Sequence, residues 1–135
     1  MNFFYHFPVL VPLLAIVIAE FLKLAFVFLQ KHHFQKSDFF QSGGMPSGHA
    51  TAVSALCVAV FWKSGSDSAV FAVAVIFALL VLYDALKLRR AAGRHAAALN
   101  HLLKKKHFNE RLGHTFPEIV AGIFLGSGIA FWILF

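Results

Sequence analysis

Polar positions interrupt this chain rarely and in clusters. Apolar runs near residues 7–30, 45–62, 69–88 and 116–135 each approach about 20 residues, the length that crosses a bilayer core at 1.5 Å per helical residue. The pattern predicts an all-α integral membrane bundle of about four transmembrane helices, a single domain over residues 1–135. Residues 88–107, LRRAAGRHAAALNHLLKKKH, behave differently. Their apolar positions Ala92, Ala96, Leu99 and Leu103 recur at helical spacing among basic residues, which predicts an amphipathic helix along the cytoplasmic membrane surface. Gly93 argues against one unbroken helix there.

Composition strengthens the membrane reading. The chain is 59% hydrophobic and 13% charged, with a mean hydropathy of +0.74, too little polar surface for a soluble domain of 135 residues. Seventeen phenylalanines, with Trp62 and Trp132, suit lipid contact and interfacial anchoring. The first apolar run lacks a basic leader and a small-residue cleavage pattern, so it is expected to be a span and not a secretory signal. Cys57 has no second cysteine to pair with, which excludes an intramolecular disulfide.

The net charge of +6 is unevenly placed. Lys31 and Lys36, with His32 and His33, follow the first run, while Lys87, Arg89, Arg90, Arg94, Lys104–Lys106 and Arg111 follow the third. The connection KSGSDS and the amino-terminal MNFFYHFP are nearly neutral. The positive-inside rule then puts both basic connections in the cytoplasm, with the chain in the plasma (inner) membrane. The basic surplus serves topology and attraction to anionic membrane lipids, with no nucleic acid implied. So thin a bundle is compatible with a homo-oligomer. This topology brings the start of the second span, the end of the third and the start of the fourth to one face.

Several polar residues gather there. Glu20 and Lys23, three apart on one helix, can pair, or Lys23 can snorkel to the cytoplasmic edge. Asp84 precedes Lys87, Arg89, Arg90 and Arg94 and can orient a cation, and guanidinium groups match phosphate oxygens bidentately. The alternative is a solvated helix end. In GHTFPE, Thr115, Pro117 and Glu118 form a helix-capping pattern. His114 and Glu118 are also four apart, so the carboxylate can fix the imidazole tautomer and free the other ring nitrogen for chemistry. In SGGMPSGHATA (42–52), Gly43–Gly44 permit a sharp turn and Pro46 suits a first helical position. The same stretch offers unpaired amides at a helix start, the Ser47 hydroxyl, close backbone approach at Gly48 and a proton donor in His49.

These residues carry a resemblance. PSGH (46–49), then YDALKLRRAAGRHAAALN (83–100), then LGHTFPEIVAGIFLG (112–126) resemble the type-2 phosphatidic acid phosphatases. The match is to their divergent branch of small membrane proteins related to vanadium-dependent haloperoxidases. The resemblance implies a lipid or polyprenyl phosphate (or pyrophosphate) phosphatase that works through a phosphohistidine, needs no metal or cofactor and is inhibited by vanadate. It implies His114 as nucleophile, Glu118 as its orienting partner, His49 as general acid, and Ser47 and Gly48 as phosphate ligands. The chain departs from the pattern in places. No arginine precedes Arg89, Phe108 stands where an arginine is expected, and the orienting residue is glutamate instead of aspartate. Arg89, Arg90 and Lys23 are the expected replacement clamp, supported by Asp84 and Arg94. Two other functions compete with this one. A non-catalytic lipid-phosphate binder is favoured by the missing arginines, and a small transporter would use Glu20, Lys23 and Asp84. Haloperoxidase activity is not expected.

Overall fold

A computed structural model describes residues 3–31 and 44–135. The basic residues His32, His33 and Lys36 lie outside the described residues, as do Ser42 and Gly43. Every regular element among those described is helical. A short α1 (Phe3–His6) precedes α2 (Leu10–Lys31), followed by α3 (Gly48–Ser64) and α4 (Ala69–Tyr83). A π-helical turn (Asp84–Leu88) joins α4 to α5 (Arg89–Leu103), and α6 (Phe116–Leu134) follows.

The chain is an all-helical membrane bundle. Among the described residues three helical runs are long and apolar enough to cross a bilayer: residues 10–29, 69–103 and 116–134. The outside of the bundle is correspondingly greasy, with Phe21, Leu29, Val73, Phe124 and Trp132 between 68% and 83% exposed. Surfaces of that kind are stable against lipid and not against water. The fourth helix, α3, has 17 residues and packs against α2, α4 and α6 at the centre of the bundle.

Local chemistry sets the helix starts. Ser47 caps α3 by accepting a bond from Ala50 N–H at 3.3 Å, so Pro46 stands ahead of the cap and not at the first helical position. Ser68 caps α4 through Phe71 N–H at 3.1 Å. Thr115 and Glu118 form the capping box expected for α6. Small residues then fix how α3 meets α6. Gly122 and Gly126 face α3, where a Cβ on Gly122 would lie 2.6 Å from the Ser47 carbonyl oxygen, and one on Gly126 would overlap the Thr51 carbonyl. Without a hydrophobic drive between helices in lipid, this backbone-to-backbone approach supplies the packing. It also draws the two helix starts together, and Ser47 N–H donates to the Glu118 carbonyl at 3.2 Å.

The segment 88–107 differs from expectation in two ways. The helix ends at Leu103, where Lys104 turns left-handed at φ 50°, and does not reach residue 107. It continues α4 through the π turn as one run of 35 residues, about 50 Å long, which exceeds a hydrocarbon core of about 30 Å and must project beyond it or tilt. Its inward face is Gly93, Ala96 and Asn100, while Leu99 and Leu103 are 46% and 58% exposed. In a membrane protein the small and polar side faces protein and the large apolar side faces lipid, the reverse of the soluble pattern. Gly93 does not break the helix. Its missing side chain admits the returning strand of chain, whose Glu110 carbonyl would stand 2.7 Å from a Cβ there.

Candidate active site

His114 sits just ahead of α6 and is 3% exposed. Its placement follows from the π turn. There Arg89 N–H reaches back five residues to the Asp84 carbonyl, and the Ala85 carbonyl accepts His114 N–H at 3.1 Å. Gly113, at φ 82°, lies so close to the same turn that a Cβ would be 2.6 Å from Arg90 N. The ring's Nδ1 is 3.1 Å from Glu118 Oε2, and that oxygen also accepts Thr115 N–H at 2.9 Å. One carboxylate therefore caps α6 and orients the imidazole. Burial pushes the imidazole below its ordinary pKa of 6.5, opposed by the bond and charge of Glu118. A neutral, fixed imidazole is the form required of a nucleophile.

His49, in the first turn of α3, faces it. The two rings lie 6.3 Å apart, centroid to centroid, at 62°. Their side chains come from positions 65 residues apart in sequence, joined by the α3–α6 packing and the Ser47–Glu118 bond. Ser47 is fully buried, and its hydroxyl accepts the capping bond. At Gly48 the group that approaches the backbone is the Glu20 carboxylate, whose Oε1 would stand 2.7 Å from a Cβ. Glu20 in turn holds Lys23, with Nζ 3.0 Å and 3.2 Å from its two oxygens. Lys23 is 8% exposed and stacks its aliphatic stem on Gly44.

A cavity of about 850 Å³ opens beside His114. One wall is α2, through Lys23, Phe26 and Val27. The facing wall is α5, through Arg90, Gly93, Arg94 and Ala97. Both are single helical stripes, and His114 and Glu118 lie between them with Glu110, Arg111 and Gly113 of the returning segment. Arg90 and Arg94 make no ion pair among the described residues. Arg89 does not line this cavity. Successive helical residues point about 100° apart, and Arg89 turns instead to Asp84, with Nε 2.6 Å from Oδ2. That pair lies near enough to His49 for both charges to act on it. The two arginines expected to act together therefore diverge, Arg90 into the cavity and Arg89 to Asp84. Among the described residues no group of three His, Cys, Asp or Glu side chains is arranged to hold a metal ion.

Asn100 escaped the sequence reading. Buried to 5% exposure, its Oδ1 accepts from His107 N–H (3.0 Å) and Phe108 N–H (2.9 Å). Its Nδ2 donates to the Phe108 carbonyl and to Glu110 Oε1, both at 2.8 Å. The signal was present: asparagine is a poor helix former, and here it stands seven residues after Gly93 on the same face.

Bundle and site together define a helical membrane protein with a cleft lined by His114, Arg90 and Arg94, and with His49 behind His114 and not among the lining residues. Residues 4–129 match the divergent PAP2 family, and the chain belongs to that family. It is also similar to the uncharacterized membrane protein YuiD of Bacillus subtilis (strain 168), at 33% identity over 153 residues, covering 96% of this chain and 97% of that one. No solved structure matches the chain.

Proposed function

We propose that the protein is a membrane phosphatase that removes phosphate from a lipid or polyprenyl phosphate at the cytoplasmic face of the plasma membrane. The observation that carries this reading is the pairing of His114, already held by Glu118, with His49 across 6.3 Å, beside a cavity walled by Arg90 and Arg94. A phosphoryl group in reaction sits about 3 Å from its attacking atom. Its leaving oxygen sits about 3 Å from a proton donor. One ligand can then touch both rings.

In the proposed reaction the His114 ring nitrogen attacks phosphorus and the bond to the leaving oxygen breaks as His49 gives it a proton. Water then attacks the phosphohistidine, with His49 taking a proton, and inorganic phosphate leaves. Arg90 and Lys23 neutralise the phosphoryl oxygens, and the first-turn amides of Gly48 and His49 have no helical partner of their own. Ser47 supports that turn, Arg94 extends the cationic wall, and Asp84 with Arg89 sets the charge around His49. The apolar tail lies toward Phe26 and the surrounding lipid.

The test is purified protein against a panel of lipid phosphates. His49→Ala is expected to lower kcat by roughly 10²–10⁴-fold, and His114→Ala to abolish release. Undiminished phosphate release by both variants would sink the mechanism. A second reading, a lipid-phosphate binder without turnover, draws support from Arg89 being held by Asp84 and the Ser47 amide by Glu118. It predicts binding with no vanadate inhibition and no phosphoenzyme.

A further inference from the structure

The returning segment carries an acid into the cationic cleft. Glu110 lines the same cavity as Arg90 and Arg94, and a free carboxylate there would pair with either guanidinium and compete with an anionic ligand. It is not free. Its Oε1 accepts from Asn100 Nδ2 at 2.8 Å, and Asn100 is itself buried and does not line the cavity. The other cavity acid, Glu118, is likewise occupied, by His114 and Thr115 N–H. Both carboxylates are thus held by neutral partners or by the histidine, while Arg90 and Arg94 remain without an ion pair among the described residues.

We propose that Asn100 is a positioning residue that holds Glu110 off the arginine wall and so keeps the cleft open to a phosphate-bearing ligand. This rests on reading the cleft as a lipid-phosphate site. Two functions of Asn100 are separable. Its Oδ1 secures the backbone of His107 and Phe108, and its Nδ2 restrains Glu110. Asn100→Asp keeps the acceptor and loses the donor, setting two carboxylates against each other where a 2.8 Å bond stood. The backbone anchorage survives in that variant, and Glu110 is driven toward Arg90 and Arg94. Asn100→Ala frees Glu110 without adding charge but also gives up the anchorage.

The experiment measures the dissociation constant of dioctanoyl phosphatidic acid for detergent-solubilised protein by titration calorimetry. All variants carry His114→Ala so that the ligand stays intact. Asn100→Asp and Asn100→Ala are each expected to weaken binding tenfold or more, and adding Glu110→Gln to either is expected to return it to within threefold of the parent. Glu110→Gln alone is expected to bind as tightly as the parent or more tightly. Hydrogen exchange over residues 104–113 reports the anchorage and is expected to stay slow in Asn100→Asp. Weakened binding that Glu110→Gln does not restore in either background overturns the proposal, because Asn100 would then serve the backbone alone. Unchanged binding in Asn100→Asp also overturns it. A parent that binds no lipid phosphate overturns both this and the lipid-phosphate reading, whereas a parent that binds, with variants that behave otherwise, overturns this one alone.

Discussion

Replacing Gly113 with alanine perturbs the site at the point where His114 is set. Two effects combine. The residue holds φ at 82°, a left-handed backbone that costs a non-glycine residue about 1–2 kcal/mol. The new Cβ also meets Arg90 N at 2.6 Å, with Ala85 O and Arg89 C at 3.0 Å. All three are backbone atoms of the π-turn region, which cannot swing aside as a side chain can, so overpacking adds about 1–3 kcal/mol. The sum is roughly 2–5 kcal/mol, part of it relieved by moving Gly113 and His114 away from the Ala85 carbonyl. A displacement of about 1 Å at a reacting group lowers turnover on the order of 10²-fold. Gly128→Ala is the control, since nothing lies within 4 Å of its added Cβ and it gains up to about 1 kcal/mol of helix propensity. The assay is unfolding in detergent, followed by phosphate release from the preferred lipid phosphate. Gly113→Ala melting and turning over like Gly128→Ala would refute the argument that this contact positions the histidine.

Other consequences follow from the same contacts. Gly126→Leu drives a side chain into the Thr51 carbonyl and Ser54 hydroxyl, so it is expected to separate α3 from α6, and loss of the folded bundle in detergent is the readout. Arg90→Gln is expected to raise KM for a lipid phosphate tenfold or more, whereas Arg89→Gln is expected to act on kcat through His49 with KM little changed; steady-state kinetics of the two variants separate them. His114 is held below 6.5 mainly by burial, so just below that pH the unfolded chain binds more protons than the folded one. Stability therefore rises with pH through that window and levels off above it, and the acid limb of kcat/KM lies below 6.5. Unfolding at pH 5.5 and 7.5, compared with His114→Asn, which flattens the dependence, checks the sign.

The sequence carried the large features because they rest on local chemistry. Apolar run lengths, the Thr115–Glu118 capping box and the His114–Glu118 spacing depend on neighbours within one turn. The meeting of His49 and His114 was legible only through topology, as a common face. What escaped depends on backbone geometry. The π turn moves the Ala85 carbonyl onto His114, and no residue type in DALKL announces it. Asn100 and Gly93 take their meaning from a segment that returns seven or more residues later to fill the space beside them. The division between Arg89 and Arg90 follows from rotation along the helix, which turns Arg90 into the cavity and leaves Arg89 to Asp84.

The central claim is that His114 takes up the phosphoryl group. A brief reaction with lipid phosphate labelled at phosphorus, quenched in base and mapped by peptide mass spectrometry, tests it directly. The account predicts an acid-labile, base-stable phosphoryl group on His114 that vanishes in His114→Ala and accumulates when His49 is replaced by glutamine. Phosphate release with the label on another residue, or with no phosphoenzyme under any quench, would contradict it.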